Sequence, residues 1–266
     1  MKVVAVINYK GGVGKTSLTA NLAGQLAWKN KRVLIVDLDA QASLTFSFIA
    51  PDAWESSFSK NKTIKSWFES FDSGHPISLD SLVHAPKRVK DYLKGHGALD
   101  IICSHLGLIN VDLELATKLS GASLAQAKRN FINVHRRLLD GLETLKGKYD
   151  IILIDCPPNF NIVTKTAIIA SDYILVPARP DYLSTLGIDY LIRSVNILIK
   201  DYNDFASVEP SENTAKIDPK ILGFLDVPSG IERRLKAAFK PFMLPWMGHG
   251  GAWRWKRGTC LRSGLA

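Results

Sequence analysis

Six short stretches of the chain are apolar without alternation: VVAVI (3–7), RVLIVD (32–37), LDIICS (99–104), YDIILID (149–155), DYILVP (172–177) and ILGFLDV (221–227). A strand with one wet face alternates apolar and polar residues, so unbroken runs predict strands covered on both faces, as in a parallel sheet. Between most of them the period changes. KTSLTANLAGQLAWKN sets Leu18, Leu22 and Leu26 on one helical face, and AQAKRNFINVHRRLLDGLETLK lines up Phe131, Val134, Leu138, Leu142 and Leu145 in steps of three and four. Strands alternating with helices predict an α/β fold: a doubly wound, mostly parallel sheet with helices on both faces.

Two zones lack either period. Residues 47–98 mix Ser, Asp, Gly and Pro with short apolar patches such as TIKSWFES, and are expected to form a surface insertion of short helices between the second and third strands. Residues 203–216 are polar and are expected to be loop. The last stretch, from KPFMLPW onward, has Gly and Pro at intervals that break both periods, and no internal repeat is visible.

With 266 residues, 46% of them apolar, the chain can bury one sizeable core, and a second full domain is not expected. No run approaches the roughly 18 uninterrupted apolar residues of a membrane span. Met1 leads straight into KVVAVIN, too short and too soon interrupted for a signal peptide, so a cytoplasmic protein is expected. The three cysteines, Cys103, Cys156 and Cys260, lie far apart with no Cys-x-x-Cys pair, which points to reduced structural thiols. The net charge of +9 is concentrated: residues 229–266 carry eight basic residues against Glu232, a net of +7, leaving +2 for the first 228. Such a cationic end suits an acidic partner such as nucleic acid or an anionic membrane surface.

The candidate chemistry begins in NYKGGVGKTS. Gly11-Gly12-Val13-Gly14-Lys15-Thr16 follows one expected strand and opens one expected helix, the setting a phosphate loop requires. Glycines let backbone N–H groups turn inward around an anion, the helix N-terminus adds partial positive charge, and Lys15 adds a full one. Thr16 can offer its hydroxyl to Mg²⁺, and Ser17 can reach a phosphate from the first turn. Tyr9 stands where the strict Gly-x-x-x-x-Gly-Lys-Thr form has glycine, and Lys10 is a second cation beside it. Two later motifs end strands in acids: LIVDLDAQASLT with Asp37 and Asp39, and IILIDCPPN with Asp155. Acids at the carboxyl ends of parallel strands face the crevice where open α/β sheets bind ligands, and Asp155 is placed to hold Mg²⁺, through water. Pro157 and Pro158 stiffen the turn that follows, a suitable place for a loop that senses a γ-phosphate.

NYKGGVGKTS, VDLDAQASLT and IILIDCPPN, in this order and spacing, resemble the deviant Walker ATPases of the ParA/MinD group. The resemblance covers roughly residues 1–200, and ILVPARPDYLSTLGIDYLI (174–192) also looks like the family's segment after the fifth strand. It implies an ATPase that uses ATP and Mg²⁺ and dimerises when ATP is bound. Lys10 matches the signature lysine that reaches the partner's nucleotide, Lys15 the ordinary phosphate-loop lysine and Thr16 the Mg²⁺ ligand. Asp39 matches the acid that orients the attacking water, and Asp37 and Asp155 the acids around the Mg²⁺ shell. Gly11 sits where two subunits approach, so a side chain there should obstruct dimerisation. DLDAQASLT is more similar to the ParA side than to MinD, with Ala40 where Pro is usual. The chain starts at the first strand, so no N-terminal helix-turn-helix domain is expected, and Cys103 and Cys156 are not spaced to hold an iron-sulfur cluster at a dimer axis.

The resemblance further implies nonspecific DNA binding by the ATP dimer through basic residues near the C-terminal end, where IERRLKAAFK offers Arg233, Arg234, Lys236 and Lys240 on a short helix. The expected organisation is one P-loop ATPase domain over 1–240 and an atypical basic, Trp-rich tail over 241–266. Trp246, Trp253 and Trp255 in that tail suit an interfacial anchor, yet its Pro and Gly forbid a continuous amphipathic helix, so membrane attachment is not expected. The tail also fits a slipped frame or a rearranged end. The functional expectation is plasmid or chromosome partitioning, nucleoid-associated, with hydrolysis stimulated by a ParB-like protein. Two alternatives stay open: a MinD-like or other cargo-positioning ATPase at a membrane or protein assembly, and an ATP-switched binding module with little hydrolysis.

Overall fold

The computed structural model describes residues 1–178, 182–208 and 215–226; Arg233, Arg234, Lys236, Lys240 and the tail 241–266 lie outside the described residues. Six strands, β1 (Lys2–Val6), β2 (Arg32–Asp37), β3 (Ala98–Ile102), β4 (Ile151–Asp155), β5 (Tyr173–Ala178) and β6 (Lys220–Asp226), form one sheet in the order β3-β2-β4-β1-β5-β6. Every pairing is parallel. The helices are α1 (Lys15–Trp28), α2 (Ser43–Phe48), α3 (Pro51–Ser57), α4 (Ile64–Ser70), α5 (Lys87–Leu93), α6 (Leu108–Thr117), α7 (Leu124–Glu143), α8 (Ile162–Ile169) and α9 (Tyr182–Val208), with a 3₁₀ turn at Leu79–Leu82.

The unbroken apolar runs have the cause anticipated for them. Val3, Ala5, Ile7, Leu34, Val36, Ile152 and Ile154 join Trp67, Val111, Leu138, Ile168 and Leu198 in one core. Their sequence neighbours Val4, Val6, Val33, Ile35 and Leu153 join Leu18, Ala23, Leu44, Trp54 and Val89 in another. Successive strand side chains point to opposite faces, and here each face has its own helical cover.

Three local outcomes differ from the pattern-based expectation. On α1 the fully covered residues include Ala20, Ala23, Gly24 and Ala27, while Leu22 and Leu26 are only partly buried beside the core. Small side chains let this helix lie close to the sheet, and the leucines close the edge of the contact. The 47–98 segment is made of short helices, but it is not merely superficial, since Trp54, Ile64, Trp67, Phe68, Leu79 and Leu82 are buried. Residues 203–208, expected as loop, continue α9. Tyr202 and Ala206 are buried, and Phe205 meets Phe131 edge-on at 5.2 Å, so packing at helical spacing overrides the polar residues between them. Asn203 then pins the return of the chain, exchanging two 2.9 Å hydrogen bonds with the backbone of Ile217.

On the buried side of α7 lies His135, with 0% exposure. Its Nδ1 is 2.9 Å from the Phe131 carbonyl, and Nε2 has no hydrogen-bond partner. Burial pushes its pKa from 6.5 down to about 4, Lys165 pushing the same way against the Phe131 hydrogen bond. The unfolded chain therefore binds the extra proton between these values, and stability falls as pH drops through 6.5 toward 4. About 1 kcal/mol should be lost by pH 5.5 from this residue. Urea unfolding at pH 7.0 and 5.5 should show a smaller acid loss in His135→Leu than in the parent chain; equal losses would refute the assignment.

Candidate functional site

β1 lies between β4 and β5, so the loop leaving its carboxyl end is flanked by both. Gly12 (φ 68°) and Gly14 (φ 86°) are left-handed, a conformation that penalises any Cβ. Gly14 is the N-cap of α1 and provides no side-chain cap, which leaves the first-turn N–H groups to an outside acceptor. Asn8 braces the loop from below: its Nδ2 donates to the Pro177 carbonyl at 2.7 Å, and its Oδ1 accepts the Lys10 N–H at 2.9 Å. The Lys15 ammonium is turned into the loop, donating to the carbonyls of Asn8 (3.1 Å) and Lys10 (3.2 Å). Burial lowers its pKa, against the pull of Asp155 and Asp39.

The three acids meet this loop at the carboxyl edge of the sheet. Asp37 and Asp155 stand in register on adjacent strands, β2 and β4. Asp155 Oδ2 accepts the Thr16 hydroxyl at 2.7 Å, and Oδ1 accepts that of Thr19 at 3.3 Å. Asp37 Oδ2 accepts both the N–H (2.8 Å) and the hydroxyl (2.7 Å) of Thr45, and Oδ1 accepts the Asp39 N–H at 3.1 Å. Both carboxyls are pushed up, chiefly by burial; Asp155 adds repulsion on Asp37, and Asp39 adds it on Asp155. Asp39 itself is at the surface edge, its Oδ1 accepting the Gln41 N–H at 2.9 Å in a tight turn and its carbonyl accepting the Ser104 hydroxyl at 2.7 Å.

Lys15, Thr16, Asp37, Asp39 and Asp155 are thus brought to one edge, with Lys10, Gly11, Gly12, Val13 and Gly14 forming the loop above it; Ser17 stands beside Thr16 in the first turn of α1. A Cβ on Gly11 would meet nothing within 4 Å, and its backbone is not left-handed. Among the described residues no group of three or more His, Cys, Asp or Glu is placed to hold a metal ion. The donor set fits a hard cation all the same: a hydroxyl and clustered acids, with remaining positions left to water and phosphate oxygens, is how Mg²⁺ is commonly held. Cys103 and Cys156 are buried and unlinked, and burial pushes both thiols up.

Sequence reading missed the supporting residues. Thr45 ends the motif DLDAQASLT, Thr19 lies one turn beyond Lys15, and Asn8 precedes the glycines. Asp112 of α6 had no local signal at all. Its Oδ1 accepts the N–H groups of Ile162 (2.8 Å) and Val163 (3.2 Å), fixing the start of α8 just after Pro157 and Pro158.

A family described as an AAA domain matches residues 1–208. The sporulation initiation inhibitor protein Soj of Bacillus subtilis is 31% identical over 210 residues, covering 78% of this chain and 70% of Soj. A ParA family protein of Chlamydia muridarum is 32% identical, covering 72% of this chain and 64% of its own length. Among solved structures, a plasmid partition protein from Borrelia burgdorferi shares the fold with a TM-score of 0.59 at 23% identity, covering 90% of this chain and 84% of that one. By its motifs, its sheet and these relatives, the chain belongs to the ParA/MinD-type family of P-loop NTPases.

Proposed function

We propose that this protein is an ATPase that dimerises with Mg·ATP, binds DNA without sequence preference and serves plasmid or chromosome partitioning in the cytoplasm, at the nucleoid. A ParB-like partner would stimulate its hydrolysis. The observation that carries this reading is the pair of lysines on one loop. Lys15 already fills the loop of its own chain with two carbonyl contacts, so the loop needs no second ammonium to close. Lys10, at the family's signature position, would serve a neighbouring subunit's nucleotide.

In this reading Lys15 and the N–H groups of Gly12, Val13 and Gly14 bind phosphate oxygens, and Ser17 adds a hydroxyl from the first turn. Thr16, Asp155 and Asp37 would hold Mg²⁺, the acids through water; Asp37, with three hydrogen bonds already made, acts mainly by orientation. When bound, the ion neutralises charge developing on the phosphates. Asp39, on the accessible side of the cluster, orients the attacking water, and Lys10 from the second subunit stabilises the transferred group, as an arginine finger does. Gly11, where an added Cβ would meet nothing within 4 Å in one subunit, lets the two loops approach. Arg233, Arg234, Lys236 and Lys240 remain candidate DNA contacts. Among the described residues no helix is long and apolar enough to cross a membrane.

The test is retention on random-sequence duplex DNA across a salt series. ATP, but neither ADP nor buffer alone, should raise retention, and log affinity should fall linearly with log salt. Retention indifferent to ATP would overturn the reading, and ATP-dependent pelleting with anionic liposomes in its place would favour a membrane-positioning role.

A further inference from the structure

We propose that a basic, aromatic face formed by the end of α1 and by α5 is a binding surface for the phosphate backbone of duplex DNA, separate from the C-terminal residues. The inference rests on the function above for the partner being DNA. α5 is amphipathic on a small scale: Val89 and Leu93 are buried, and Lys87, Arg88, Lys90 and Lys94 are exposed on the other side. The turn after α1 adds exposed Lys29 and Lys31. The two segments are locked together. Trp28 stacks on His96 at 4.4 Å and meets Tyr92 at 5.6 Å, His96 Nδ1 lies 3.2 Å from Asn30 Oδ1, and the Ala98 N–H donates to the Lys31 carbonyl at 3.0 Å. Gly97 makes the approach possible, since a Cβ there would come within 2.6 Å of the Ala27 carbonyl and closer still to that of Lys31.

What marks this face is the density of its exposed cations, six of them in two short segments that hold one acid. Some surface cations elsewhere are neutralised by acids, as in Lys2 with Asp172, Arg32 with Asp150 and Lys148 with Asp80. Among the described residues none of the six patch cations is in an ion pair, and Asp91 is the only acid in 28–31 and 87–96. Crowded like charges repel, and a polyanion relieves that repulsion while releasing its counterions. Lipid headgroups offer phosphate too, but an interfacial segment needs a broad apolar face to insert, and the apolar residues of α5 are turned inward. The face lies at the amino ends of β2 and β3, whereas Asp37 ends β2; six residues of strand separate them by about 20 Å. Nucleotide and DNA can therefore be held at once.

The experiment compares the parent chain with Lys87→Gln/Lys90→Gln/Lys94→Gln and with Lys29→Gln/Lys31→Gln on random duplex DNA across a salt series, with and without ATP. Unstimulated phosphate release and the thermal midpoint should be unchanged. The triple variant should bind at least ~10-fold more weakly near 0.1 M salt, with a salt slope shallower by about 2–3. Loss of retention in the variants when ATP makes no difference to the parent chain supports this surface and defeats the ATP-switched function. Variants with the parent's affinity and slope overturn the surface and leave that function standing. Loss of pelleting with phosphatidylserine vesicles while DNA retention is untouched also overturns it, and a parent chain that never retains DNA overturns both.

Discussion

Lys10→Ala should bind ATP within about twofold of the parent chain yet lose partner- and DNA-stimulated phosphate release by about 10³-fold, the scale of a charge delivered in trans to a phosphoryl transfer. Lys15→Ala should behave in the opposite way. Its ammonium lies inside the loop, within reach of whatever phosphate replaces the carbonyls of Asn8 and Lys10. Removing one partner of a buried charge pair costs about 2–5 kcal/mol, so ATP binding should weaken by at least about 30-fold. Equilibrium binding of a fluorescent ATP analogue, beside stimulated phosphate release, separates the two. A Lys10→Ala chain with normal turnover would remove the argument for a shared site, because a lysine needed only within its own loop would show its loss in binding first.

Gly11→Val should fold as the parent does and fail to dimerise. The structure gives a side chain at this position open space, and its backbone is not left-handed, so unfolding free energy should change by less than about 0.5 kcal/mol. Gly12→Val is the control: at φ 68° any Cβ is strained, at a cost of about 1–2 kcal/mol within one subunit. Sedimentation with a non-hydrolysable ATP analogue should show a dimer for the parent chain and a monomer for Gly11→Val, with affinity between subunits reduced at least ~100-fold, about 2.7 kcal/mol. A dimer of undiminished affinity would place the contact elsewhere on the molecule.

The strands were legible because burial on both faces leaves a signal that needs no partner: RVLIVD and IILID are apolar whichever way each residue points. Helix faces were less so. Leu22 and Leu26 looked like the inner side of α1, but proximity to a sheet favours Ala23, Gly24 and Ala27, which hydropathy patterns underweight. The end of α9 was hidden because Asn203 and Asp204 are polar, while the contacts that extend the helix, such as Phe205 with Phe131, come from across the fold. At the site, the glycines, Lys15 and the three acids lie in contiguous motifs at strand ends. Thr19 and Asp112 act on groups 136 and 50 residues away, so nothing local could disclose them.

The sheet also has a consequence for divergence. It divides the interior into two cores with no residue in common: α1, α2, α3 and α5 on one side, α4 and α6 to α9 on the other. A substitution that repacks one side has no direct neighbour on the other. A lineage could therefore reshape α6 and α7 while the cover around α1 stays as it was, whereas a change at Tyr190 of α9 would reach Tyr9 beside the phosphate loop, 5.6 Å away.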